Sequence, residues 1–354
     1  MKRMILSALL AILFLSSSCK YEVPVLPGSG GKTCEIIVVT PKEQWEGAVG
    51  DTLRHWFMRV QPGLNQPEPY FNLVNIVPKS FNESEMFQHH RNVFIVEFDT
   101  AVQPKVEVLQ DLWAFPQVVI KFSVPDKQAF YDLFAPRKEG LMQAVYAKEY
   151  QRIQRAFKGV EEIEVLDKLR RWYGFEMIFP DGFSFASSRS GFAWIRKESK
   201  DYGQGIIFST YPYTGLDVFD PESILAQRNR MCRNVPGPAE GSYMTTETRF
   251  PEYAPFSKII NLNGMYAVET RGLWRLEGDF MGGPFVNYVF VDTANQRTIM
   301  LDAYLYSPRK PKRDLLMQME SVARSFEFYT PPVTTDSIAD IAADKTDKPV
   351  SEDK

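Results

Sequence analysis

Histidine is almost missing from this chain. Three occur in 354 residues, His55, His89 and His90, and none sits in an HExxH spacing. Histidine is the commonest general base and metal ligand, so its scarcity weakens every metalloenzyme or Ser-His reading and leaves carboxylate chemistry open. His55 follows an amphipathic pattern beside Trp56. His89 and His90 close another such stretch, where a cation suits the negative end of a helix dipole. No metal site and no cofactor are expected. Gly31-Lys32-Thr33 ends like a phosphate loop, but Leu26 stands where the first glycine is required. Residues 187–191 read SSRSG, not the G-x-S-x-G of a nucleophile elbow.

Charge of one sign is lacking too. The formal net charge is −3, which gives no strong field for a polyanion, and no nucleic-acid partner is expected. Apolar runs stop short of the ~20 residues a membrane-spanning helix needs. Cysteine is limited to Cys19, Cys34 and Cys232.

What is present begins at the N-terminus. Lys2 and Arg3 precede an apolar run over residues 4–15, then Ser16-Ser17-Ser18 and Cys19. That is the layout of a secretory signal peptide, and the cysteine after small residues makes it a lipoprotein signal. The usual lipobox leucine would fall at Ser16; here Leu15 lies one step earlier. The expectation is a signal peptide over residues 1–18 and a lipid on Cys19 that ties the chain to a membrane. A flexible Pro- and Gly-rich tether should follow over residues 19–33.

Aromatic residues make up 14% of the chain, and such side chains favour sheets. The pattern predicts an α+β protein of two mixed domains, residues 34–165 and 166–329, followed by a disordered tail over residues 330–354. In the first domain, strands are expected at 35–40, 70–77, 92–98 and 117–124. Helices are expected at 41–58, 80–91, after Pro125-Asp126 and at 138–158. The last helix carries Lys148, Arg152, Arg155 and Lys158 between its apolar positions, the pattern of a solvated basic face. The second domain should be a long antiparallel meander, residues 258–280, 285–292 and 298–306, packed by a C-terminal helix at 311–324. Cys34 and Cys232 fall in different domains and read as two buried free thiols, with a disulfide as the alternative.

The sharpest alternation lies at residues 265–280. One parity carries Tyr266, Val268, Thr270, Trp274 and Leu276; the other carries Glu269, Arg271, Arg275, Glu277 and Asp279. A period of two implies one buried and one polar face. The charged row is the candidate binding surface. Glu277 and Asp279 would then form a carboxylate pair, with Arg271 and Arg275 taking an anionic group. The blander reading, charges neutralising one another on a solvated sheet face, takes precedence.

Residues 271–288 (RGLWRLEGDFMGGPFVNY) resemble the hallmark of a Bacteroidota lipoprotein family of unknown function. The resemblance extends to residues 113–119, 192–196, 206–213 and 227–237. It implies an envelope lipoprotein and assigns no activity, ligand or catalytic residue. With a single acidic residue, Glu22, just after Cys19, a lipid anchor in the outer membrane on the periplasmic side is the expected address. The leading functional expectation is a non-catalytic binding or scaffolding role toward an envelope protein partner. The alternative is a carboxylate-dependent hydrolase acting on an envelope or glycan substrate through Glu269, Glu277 or Asp279.

Overall fold

The computed structural model describes residues 25–331. The signal sequence, Cys19 and the tail from residue 332 onward lie outside the described residues.

Short apolar runs build the first sheet. Strands β1 (Glu35–Val39), β2 (Asn72–Ile76), β3 (Asn92–Phe98), β4 (Lys105–Gln110) and β5 (Val118–Val124) stand in the order β2-β1-β3-β5-β4. All neighbours are parallel except β4, an antiparallel edge strand absent from the sequence expectation. Parallel strands are buried on both faces and therefore read as unbroken apolar runs. Helices α1 (Lys42–Trp45), α2 (Ala48–Phe57), α3 (Pro78–Asn82), α4 (Glu85–Gln88), α5 (Lys127–Phe134) and α6 (Lys138–Lys158) connect and cover the strands. Ile36, Val38, Phe94, Val96, Ile120 and Phe122 pack under α2, α5 and α6. Ile37, Val39, Val93, Ile95 and Val119 face the other way, under the short helices α3 and α4.

Two of the expected helices are each broken in two. The 41–58 stretch bends after Trp45 because backbone packs on backbone: a Cβ on Gly50 would stand 1.8 Å from the Trp45 carbonyl oxygen. Thr40 is no helix cap; its hydroxyl donates to the Val96 carbonyl. Asp126 does cap α5, accepting from the Ala129 N–H at 2.9 Å.

The basic face of α6 is largely not solvated. Lys148 pairs with Asp111 at 3.2 Å, and Arg152 binds Glu149, the Asn92 side chain and the Pro116 carbonyl. Only Arg155 and Lys158 remain outside. The expected free tether also ends early. The Phe115 N–H donates to Pro27, and Gly30 exchanges hydrogen bonds with His89 and Arg91. His90 is buried beneath it, 3.1 Å from Glu35.

A four-residue connection leads from α6 into α7 (Ile163–Tyr173), so the chain changes sheets slightly before the expected boundary. Val165, Leu169 and Tyr173 bury the apolar face of α7 on the second sheet. Strands β6 (Phe175–Glu176), β7 (Ser184–Arg189), β8 (Phe192–Glu198) and β9 (Gly203–Pro212) precede α8 (Pro221–Cys232). After it come β10 (Tyr243–Thr246), β11 (Phe256–Leu262), β12 (Met265–Glu277), β13 (Gly282–Asp292) and β14 (Arg297–Tyr306), then α9 (Arg313–Arg324) and β15 (Glu327–Phe328). Eight strands form an antiparallel sheet in the order β10-β12-β13-β14-β9-β8-β7, with β11 also on β12. The meander is present, but its first strand is a hairpin. Asn263 and Gly264 both take positive φ, 52° and 88°, as the type I′ turn of a two-residue hairpin requires. The fold is mixed α+β.

Both faces of this sheet are covered. Beneath α7 and α9 lie Ile195, Phe208, Val286, Phe290, Leu301 and Leu305; beneath α8 lie Ile207, Val289, Met300 and Phe285. Helix α9 does more than close its own sheet. Leu316, Met319 and Val322 face the antiparallel core, while Met317 belongs to the parallel core and touches the Cys34 thiol at 3.5 Å. Cys34 and Cys232 are free and buried.

Candidate functional site

The first part of the charged parity of β12, Glu269 and Arg271, is not a solvated face. It lies under α9, which brings a second row of charges onto it. The Glu269 carboxylate is buried and meets Lys258 at 3.0 Å, Arg271 at 2.8 Å and Arg324 at 2.8 Å. Arg271 in turn grips Glu320 through both terminal nitrogens, at 2.9 and 2.7 Å. The Tyr150 hydroxyl of α6 donates to the same carboxylate at 2.6 Å. Burial alone would raise the Glu269 carboxyl, but Arg271, Lys258 and Arg324 together hold it well below the ordinary carboxylate range. This network ties α6, α9, β11 and β12 together.

The other candidates do not join it. Arg275 pairs with Glu277 at 2.7 Å near the end of β12 and approaches Glu247 at 3.9 Å. Asp279 accepts from the Phe280 N–H at 2.6 Å and shapes the turn. Glu269 and Glu277 stand eight residues apart on one strand, about 26 Å at ~3.3 Å per residue. That is far beyond the ~5–9.5 Å of a glycosidase pair. Among the described residues, no group of three or more His, Cys, Asp or Glu converges as a metal would need.

A different feature of β12 is open. On the α8 side of the sheet, α8 covers only part of the surface. The remainder forms a groove of about 440 Å³. Its walls are Trp194 of β8, Trp274 and Leu276 of β12, Tyr304 and Tyr306 of β14, Met244 of β10, and Met281. Residues two apart on a strand share a face, which is why Trp194, Arg196 and Glu198 all reach it. The Trp194 indole donates to the Tyr304 hydroxyl at 2.8 Å and the Trp274 indole to the Leu305 carbonyl at 3.1 Å. Both rings are thereby fixed. The Arg196 guanidinium lies 4.5 Å from the Trp194 ring centroid and 3.5 Å from Glu198, so the rim charge is balanced. Partial burial raises the Glu198 carboxyl, and Arg196 opposes it.

Glycines make this packing possible. Gly283 pairs with Trp274 across β12 and β13, and a Cβ there would stand 2.1 Å from the Leu305 carbonyl oxygen. The turn of the GDFMGG stretch, with Gly278 at φ 84°, carries Phe280 wholly exposed beside Met281. Residue reasoning missed this groove. The signal was there: Trp194 and Arg196 share one parity, and so do Trp274 and Leu276, and Tyr304 and Tyr306. Nothing local says that the three strands lie side by side.

Fold and site together define an α+β protein built on two sheets, with an aromatic groove on the second. Residues 162–325 match the family described as Domain of unknown function (DUF4837), and residues 29–158 match Domain of unknown function (DUF8532). No curated protein matches the chain. Among solved structures, a point mutant of protein Mog1 is 10% identical with a TM-score of 0.28, over 44% of this chain and 90% of its own. The Saccharomyces cerevisiae Ran-binding protein Mog1p is 9% identical with the same score and coverages. LpqN of Mycobacterium tuberculosis, described as involved in cell envelope biogenesis, is 17% identical with a TM-score of 0.25, over 42% of this chain and 78% of its own. Scores this low carry no argument about fold or function.

Proposed function

We propose that this chain is a lipid-anchored envelope protein, held at the outer membrane through Cys19 and facing the periplasm. It binds an apolar segment of an envelope protein partner in the groove without catalysing a reaction on it. The supporting observation is the groove itself. A sheet otherwise covered on both faces leaves aromatic and aliphatic walls open, with two indoles locked by hydrogen bonds and a charge-balanced rim. Pockets of this size that are mostly apolar with a few placed polar groups are the usual form of binding sites. The wholly exposed Phe280 beside Met281 extends the apolar surface outward, where a partner segment would lie.

Two experiments test the reading. Cys19→Ala should move the protein from membrane to soluble fractions or leave it unprocessed; retention with outer membranes after a high-salt wash would refute the anchor. A photo-crosslinking residue at position 280 should trap one defined envelope protein in stoichiometric yield. Met281→Arg places a charge in the groove wall and should abolish that adduct while leaving the melting temperature nearly unchanged. Persistence of the adduct in the Met281→Arg protein would remove the groove from the proposal.

A further inference from the structure

We propose that the cavity between the two sheets is a binding site for one small oxyanion of the phosphate or carboxylate type, held by Arg59, Lys258, Arg324 and Tyr146. This site is separate from the groove and does not rest on it. The cavity is small, about 80 Å³, and lies where α6 meets β11 and β12. At ~30 Å³ per water it has room for two or three waters, or for a single oxyanion in their place. Interfaces between structural units are a preferred location for such sites.

The donors outnumber the acceptors. Arg59, Lys258, Arg271 and Arg324 line the space. The carboxylates that meet them are Glu139, Glu269 and Glu320. One cation is left in excess, with Arg59 and Lys258 partly exposed at the rim and Arg271 and Arg324 further in. Arg271 is spent on Glu269 and Glu320. The others are not. Arg324 gives one terminal nitrogen to Glu269, and its Nε is buried with no hydrogen-bond partner. Arg59 lies over the Trp56 and Tyr70 rings, 3.6 and 5.1 Å from their centroids, donates to the Met142 sulfur at 3.6 Å and has no carboxylate nearer than Glu139 at 4.0 Å. Lys258 is half exposed and marks the mouth.

Tyr146 supplies a neutral donor. It is 8% exposed and lines the cavity. Its hydroxyl takes no hydrogen bond from the described residues, and burial holds the phenol in its protonated form. The Tyr146 phenol is free to donate to an acceptor placed in the cavity it lines. An oxyanion accepts from the phenol, from the guanidinium edges and from the ammonium at once.

The experiment titrates the full chain with sodium phosphate, sodium sulfate and sodium acetate against sodium chloride at matched ionic strength, read by calorimetry and by melting temperature. Excluded salts such as sulfate and phosphate stabilise proteins without binding, so saturation is the readout. At least one oxyanion should give a saturable heat and a melting-temperature rise at millimolar concentration that chloride does not. Lys258→Gln and Tyr146→Phe should each weaken that binding tenfold or more. Lys310→Gln, which removes an exposed cation paired to Asp201 elsewhere, should bind as the native chain does. The proposal fails if all three oxyanions behave as chloride. It fails equally if Lys310→Gln loses as much affinity as Lys258→Gln, since the effect is then one of bulk charge.

Discussion

Glu269 is buried among three cations, and that sets its behaviour toward acid. Its folded pKa lies below its unfolded one. The stability it contributes is therefore fully present above the ordinary carboxylate value, ~4.3, and is lost as pH falls through the folded pKa. Glu269→Gln should flatten the acid limb of a stability-versus-pH curve. At neutral pH it should cost ~3–5 kcal/mol, because Lys258, Arg271 and Arg324 lose their shared partner. Equal acid sensitivity in the native and Glu269→Gln proteins would show that the network does not govern acid unfolding. Glu277 belongs to a different environment, half exposed beside Arg275. Glu277→Gln should change stability by less than ~1 kcal/mol in denaturant titrations. Trp274→Ala removes a buried ring on the opposite face and should cost ~3–5 kcal/mol. A neutral Trp274→Ala beside an unfolded Glu277→Gln would mean that the two faces of β12 have been interchanged. Burial pushes the Cys232 thiol up to about 12, with Arg228 opposing and Asp302 adding to it, and such a thiol is inert until the chain opens.

At the scale of elements, the β12–β13 corner shows how the 271–288 stretch works. Its glycines serve contact distance. Gly272 lies against the Phe285 ring, and Gly283 against Leu305 and the Trp274 indole. The fixed indole then forms part of the groove wall. Gly283→Ala should part β13 from β14, cost ~1–3 kcal/mol as an overpacking change, and shift the tryptophan emission to the red. Unchanged emission and stability would mean that the close approach is dispensable. Next to it a fully buried ion pair joins Arg228 of α8 to Asp302 of β14 through two bonds of 2.6 and 3.0 Å. It clamps α8 onto the groove side of the sheet.

For the whole molecule, α9 is the part on which both sheets depend. Its N-terminus is capped from the other unit: the Glu68 carboxylate accepts from the Lys312 and Arg313 N–H groups at 2.6 and 3.0 Å. An anion at a helix N-terminus satisfies orphan donors and suits the dipole. Further along, Met317 enters the parallel core, Glu320 takes Tyr150 and Arg271, and Gln154 donates to the Ser321 carbonyl at 3.0 Å. The two sheets should therefore melt together. Calorimetry of the native chain should show one transition. A chain stopped at residue 312 should expose both cores, bind a hydrophobic dye and yield rapidly to protease. A truncated chain that still melts cooperatively at the native temperature would show that α9 is peripheral.

Local pattern determined a large part of this. The buried parallel strands β1, β3 and β5 follow from unbroken apolar runs, and the long helix α6, the meander and the closing helix from periods of two or 3.6 and from turn chemistry. Those periods act within a few residues. Even the missed hairpin at Asn263-Gly264 was written locally. Tertiary structure decided the rest. Whether the charged parity of β12 meets water or a helix depends on where α9 returns, more than forty residues later in the chain. Glu269 and Arg271 become a buried network once that helix lies over them, while Arg275 and Glu277 still neutralise one another near the strand end. The groove likewise needs β8, β12 and β14 on one sheet with β9 and β13 between them. No periodicity within a strand encodes its neighbours, because burial and strand order are properties of what packs against a segment and not of the segment itself.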